Sequence, residues 1–135
     1  MNHVKTQGID HVGLAVQDLG KTQAFFTEIL GFDKIGERPD YPAVFVSDGT
    51  VMITLWQVTD PETAINFDRH GNIGLHHLAL RVGSMEKLEA IFQTLEDAEG
   101  VEIECAPIPL EQGNGAHLMC VEPGGIRIEF ISRSL

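Results

Sequence analysis

His11, His77 and Glu129 are the residues of this 135-residue chain whose types best suit a shared chemistry. Neutral imidazole nitrogens and a carboxylate oxygen are good donors to a divalent ion such as Zn, Ni, Mn, Co or Fe(II). Three protein ligands leave positions open for water or substrate, and the ion can then polarise an oxygen or lower a water's pKa. No compact ligand motif of the HExxH kind joins the three. Taken singly, a strand histidine is ordinarily a hydrogen-bonded structural residue, and a lone strand glutamate is ordinarily solvated. The case for a common site therefore depends on the elements that carry them.

Those elements come as an internal repeat. Asp10-His11-Val12-Gly13-Leu14-Ala15-Val16 returns 66 positions later as His76-His77-Leu78-Ala79-Leu80-Arg81-Val82. Asp18 and Ser84 follow as N-cap residues, since their side-chain oxygens can accept free backbone N–H groups. Phe25, Phe26, Ile29 and Leu30 make one helical face, and Leu88, Ile91, Phe92 and Leu95 the other. Gly31 and Gly100 supply left-handed stops. The segment 46–55 aligns with 121–130 at an offset of 75, the extra residues falling in a Pro- and Gly-bearing loop between Gly100 and His117. Each copy reads as strand, helix and three strands, with tight turns at Asp48-Gly49 and Gly124-Gly125. The first module spans about residues 8–58 and the second about 74–133, within one domain over 5–133. Thr59–Gly74 reads as a linker in which Ile65 and Phe67 could pack.

Strand parity then fixes direction. Val12, Leu14 and Val16, with Leu78, Leu80 and Val82, form the greasy faces expected to meet the helices. So do Val51, Ile53 and Leu55, with Ile126, Ile128 and Phe130. The opposite faces carry His11, Gly13, Met52, Thr54 and Trp56 in the first module. In the second they carry His77, Ala79, Arg81, Arg127 and Glu129. The repeat makes His11 equivalent to His77, and Thr54 to Glu129. His117, at a strand mouth, is a candidate acid/base or a plain surface residue. Thr54, Trp56 and Arg127 are candidate substrate contacts, Trp56 through apolar area and Arg127 through paired N–H donors. His76 has helix-side parity and reads as a core or rim hydrogen-bonding residue.

Composition narrows the partners. A net charge of −11 with scattered basic residues opposes nucleic acid. No apolar run reaches the ~18 residues of a membrane span, and the N-terminus lacks a signal-peptide core. These features place the chain in the cytoplasm. Cys105 and Cys120 read as buried free thiols rather than a disulfide.

These segments resemble the vicinal oxygen chelate superfamily, which spans glyoxalases, bleomycin resistance proteins and dioxygenases. The resemblance rests on Ile9–Val16, Phe25-Phe26 with Leu30-Gly31-Phe32, Leu75–Leu80 and Glu122–Phe130, and runs from about residue 5 to 133. It implies an α+β fold of two βαβββ modules in a curved, incompletely closed eight-stranded barrel-like sheet. It implies metal ligands at the inward positions of each module's first and last strands, here His11, Thr54, His77 and Glu129, and commonly a homodimer. Thr54 departs from the Glu or Gln usual in glyoxalase I and methylmalonyl-CoA epimerase types, which leaves His11, His77 and Glu129 as the ligands. Gly13 replaces the Thr of fosfomycin-resistance transferases. Bleomycin-binding members lack the trio. The expected function is a divalent-metal-dependent lyase or isomerase of the glyoxalase kind, acting on a small oxygen-chelating substrate, with Glu129 and His117 catalytic. An Fe(II) dioxygenase and a non-catalytic binding protein are the alternatives.

Overall fold

The computed structural model describes residues 3–134. The first module contains β1 (His11–Val16), α1 (Leu19–Ala24), β2 (Asp33–Arg38), β3 (Ala43–Ser47) and β4 (Met52–Gln57). The second contains β5 (Leu78–Arg81), α2 (Met85–Asp97), β6 (Glu102–Pro109), β7 (Ala116–Val121) and β8 (Arg127–Ser132). The helix starts follow from their caps. Asp18 accepts from the Lys21 amide and Ser84 from the Lys87 amide, both at 3.1 Å. The last turn of the first helix, Phe25–Ile29, widens to π-helical geometry, which places both Phe25 and Phe26 in the core. Gly31 and Gly100 then turn the chain at φ +80° and +83°, the left-handed conformation that glycine tolerates best.

The strands form two four-stranded sheets, ordered β1-β4-β3-β2 and β5-β8-β7-β6, and they do not close into one barrel. In each sheet the module's first strand runs parallel to its last, and the remaining pairs are antiparallel. Among the described residues no ladder joins the two sheets. The first strand of each module is an edge strand, hydrogen-bonded on one side only.

One apolar core unites the modules. Leu14, Val16, Ile53 and Leu55 are buried with Leu88, Leu95, Ile128 and Phe130, as strand and helix periodicity predict. A buried polar contact bolts the modules together: the Thr22 hydroxyl of α1 donates at 2.9 Å to Glu122, just after β7. The Gln17 amide reaches the Gly124 carbonyl at 3.4 Å across the same boundary. Glu122 is 1% exposed, and burial pushes its carboxyl pKa up. Gly124 is needed here, because a Cβ would lie 2.0 Å from the Thr22 Oγ1.

Two expectations change. The strand of the second module begins at Leu78, so His77 stands just ahead of it. In the connecting segment Ile65 is 89% exposed, whereas Phe67 is half-buried and lies over Gly74. Met1 lies outside the described residues. Among the described residues no helix is long and apolar enough to cross a membrane.

Candidate functional site

The face of the second sheet turned away from the helices gathers three of the expected residues. Glu129 is central in β8 and 9% exposed. Its Oε1 lies 3.0 Å from His77 Nε2, and its Oε2 lies 2.8 Å from His117 Nδ1. Strand pairing explains the second contact. Met119 stands opposite Glu129 and His117 opposite Ile131, so His117 and Glu129 are diagonal neighbours on one face, within reach of long side chains. Both carboxylate oxygens therefore meet an imidazole.

Behind this cluster runs a second set of contacts. Arg127 grips Glu104 of β6 with two parallel bonds, Nε to Oε2 at 3.0 Å and Nη2 to Oε1 at 2.8 Å. Its Nη1 donates to the His76 carbonyl at 2.8 Å and meets His76 Nδ1 at 3.1 Å. His76 Nδ1 lies 2.8 Å from His77 Nδ1. The Arg127 hydrogen bonds hold the Glu104 carboxyl below the usual carboxylate range and raise the Arg127 pKa in return. Partial desolvation, then the Arg127 charge, holds the His76 pKa below the usual imidazole value. Arg127 thus directs four of its five donors within the protein.

The first sheet presents a different face. Thr54 Oγ1 accepts from the Trp56 indole N–H at 2.8 Å and contacts the Val12 carbonyl at 3.4 Å. Tyr41 packs edge-on against Trp56 with centroids 4.7 Å apart, and Phe45 lies at 5.8 Å. Gly13 is paired with Thr54, and a Cβ on it would stand 3.1 Å from Thr54 Oγ1 and 3.4 Å from Trp56 Nε1. An aromatic, hydrogen-bonded platform occupies the position where the second module carries acid and imidazole.

His11 lies apart from the cluster within one chain. It is exposed and contacts Asp10 at 2.7 Å through Nδ1. Among the described residues no three His, Cys, Asp or Glu side chains converge as a metal cage. The donor chemistry of His77 and Glu129 nevertheless fits a cation. An imidazole nitrogen and a carboxylate oxygen face each other at 3.0 Å, close enough to share one proton or one metal ion between them. The contacts of His76 and Arg127 around this pair were not read from the sequence. The adjacent His76-His77 and the acidic Glu104 were visible there, but their meeting needs the β6–β7–β8 pairing.

Comparison with known proteins places these features in a family. The model of the glyoxalase/bleomycin resistance protein/dioxygenase superfamily matches residues 8–130. YwkD, an uncharacterized protein of Bacillus subtilis, is 32% identical over 103 residues, covering 73% of this chain and 76% of YwkD. The structure resembles a glyoxylase/bleomycin resistance protein/dioxygenase domain from Frankia sp. EAN1pec. The TM-score is 0.79 at 26% identity, with coverage of 96% of this chain and 93% of the other. It also shares its fold with a variant of the fosfomycin resistance protein FosX from Listeria monocytogenes, solved with Mn(II) and 1S,2S-dihydroxypropylphosphonic acid. There the TM-score is 0.73 at 22% identity, over 97% and 94% of the two chains. The two βαβββ modules and the family match over residues 8–130 together make this chain a member of the glyoxalase/bleomycin resistance protein/dioxygenase superfamily.

Proposed function

We propose that the protein is a divalent-metal-dependent enzyme of the lyase or isomerase type, acting on a small substrate that binds through adjacent oxygens. The observation that carries this reading is the His77–Glu129–His117 cluster on the face of the second sheet turned away from the helices. His77 Nε2 and Glu129 Oε1 would hold the ion. His11 would supply the third ligand from a second copy of the chain, since it stands apart within one chain while β1 and β5 leave free edges. The bound ion would supply Lewis acidity, stabilising negative charge that develops on a substrate oxygen.

The chain's own residues have separable tasks in this reading. His117 steadies Glu129 through Nδ1 and keeps Nε2 for proton transfer to or from substrate. Trp56, Tyr41 and Phe45 form an apolar wall for the part of the substrate away from the reacting oxygens. Thr54 orients the Trp56 indole and serves the substrate pocket rather than the ion. A FosX complex that contains Mn(II) and a dihydroxy phosphonate supports a metal-and-oxygen site on this fold.

Metal content after purification without chelators or a metal-affinity tag tests the reading. About one tightly held divalent ion per chain is expected. Protein that is metal-free and cannot be loaded with Zn, Mn, Ni, Co or Fe(II) would leave only a binding module. Oxygen uptake by the Fe(II) form on catechols would instead identify a dioxygenase. The shared site has its own test: in each mixed dimer of a His11→Ala and a His77→Ala chain, one of the two sites that neither variant holds alone should be recovered. Two variants that stay metal-free on mixing would rule out a site built across two chains.

A further inference from the structure

The geometry points to His76 and Arg127 as positioning residues that fix the proton on His77 Nδ1 and so reserve His77 Nε2 for a metal ion. The inference rests on the metal-site reading above and adds residues outside its ligand set. It follows from counting donors. Arginine carries five N–H donors and no acceptor. Arg127 commits two of them to Glu104 and one to the His76 carbonyl. The second Nη1 hydrogen is directed at His76 Nδ1, 3.1 Å away. A protonated His76 Nδ1 would set N–H against N–H there, so His76 Nδ1 is the acceptor.

The same bare nitrogen faces His77 Nδ1 at 2.8 Å. Two bare nitrogens at that distance would set lone pair against lone pair. His77 Nδ1 must therefore carry the hydrogen and donate it to His76. On the far side of the ring, His77 Nε2 faces the Glu129 carboxylate at 3.0 Å. That is the side of the ring a metal ion would occupy, between the imidazole nitrogen and the carboxylate oxygen. The Nδ1 hydrogen is held by His76, which leaves Nε2 as the ring nitrogen that a metal ion can take. Glu104 anchors Arg127, Arg127 sets the His76 tautomer, and His76 sets that of His77.

This array is peripheral to the reacting atoms. His76 is exposed, and neither it nor Arg127 contacts Glu129 in the hydrogen-bond pattern. Its effect is on ligand orientation and affinity. Outer hydrogen-bond partners of metal-binding histidines typically change metal affinity by about 10–100-fold when removed.

Nitrogen-15 NMR of the histidine rings, in metal-free and Zn-loaded protein, reads the tautomer directly. In the wild type, His77 Nδ1 is expected to be protonated in both forms, and zinc to bind at Nε2. His76→Ala is expected to release the Nδ1 proton to solvent exchange and to weaken zinc binding by about 10–100-fold. The melting temperature should stay near that of wild type. His76→Gln, whose amide oxygen keeps an acceptor, should recover most of the affinity. Arg127→Gln serves as a second variant should His76→Ala fail to fold, with the same direction of change. A wild-type His77 bare at Nδ1, or Nδ1 protonation and zinc affinity unmoved by His76→Ala, would overturn the inference. Absence of zinc binding by the wild type would instead defeat the metal reading, and the metal-free spectrum would still decide the His77 tautomer.

Discussion

The last strands of the two modules occupy the same place in their sheets and do different things. In β4, Thr54 sits between Gly13 on one side and Phe45 on the other. In β8, Glu129 sits between Ala79 and Met119 in the same registers. Two positions further on, Trp56 caps the first trio, while His117 reaches Glu129 from the strand beside the second. The hydroxyl of Thr54 is spent on an indole and a backbone carbonyl, whereas both oxygens of Glu129 meet imidazoles. Identical backbone geometry therefore supports an apolar wall in one copy and an ionisable cluster in the other. What differs is the side chain at one inward position and the neighbours that satisfy it.

That contrast can be broken at its chemical end first. His77→Ala should lower divalent-metal affinity below detection by calorimetry, whereas Thr54→Ala should leave it within about two-fold; equal losses would erase the distinction between the faces. The turns differ next. Gly124→Ala should cost about 2–3 kcal/mol of unfolding free energy, because its Cβ would collide with Thr22 and Glu122. The matching Gly49→Ala has open space but a φ of +93°, and should cost about 1 kcal/mol. Chemical denaturation of the two variants checks the order.

The buried carboxylate at the module boundary sharpens the comparison further. Burial raises the folded-state pKa of Glu122 above its ordinary value of 4.5. Folding thus favours the protonated form, and that stabilisation is lost as pH rises through the folded pKa. Relative to Glu122→Gln, wild-type stability should fall as pH rises above the ordinary carboxyl value of 4.5, by no more than about 1.4 kcal/mol per pH unit. A flat difference would mean that Thr22 and the Ile126 amide, which also bond this carboxylate, offset burial fully. The smallest effect belongs to Thr54→Val, expected to cost about 1 kcal/mol. Trp56 is the only tryptophan of the chain, so its fluorescence should shift as the indole loses its partner.

Much of this was legible in the sequence because repeats and strand parity are local signals. Leu14, Ile53, Ile128 and Phe130 are buried as their alternation requires, and Asp18 and Ser84 cap the helices as their side-chain chemistry requires. The direction of Thr54 and Glu129 followed from the same parity. The contacts that define the site were not legible, because they join residues far apart in the chain. Glu104 meets Arg127 only through the β6–β7–β8 pairing, and His117 reaches Glu129 only through the β7–β8 register. Parity gave His76 the helix side. It precedes β5, however, where alternation no longer dictates direction, and it lies exposed beside Arg127 instead. Parity also could not say that His11 would stand apart from His77 in a single chain.

Among the described residues every ladder hydrogen bond lies inside a module. Strand pairing is therefore divided at the boundary between residues 58 and 77. A module that separates from its neighbour gives up shared apolar core, the Thr22–Glu122 bond and the Gln17–Gly124 bond, yet keeps all of its strand partners. In folding terms the chain is two units of the same design fastened at one seam. The seam, rather than either sheet, sets how readily one module could exchange its partner for the equivalent module of another chain.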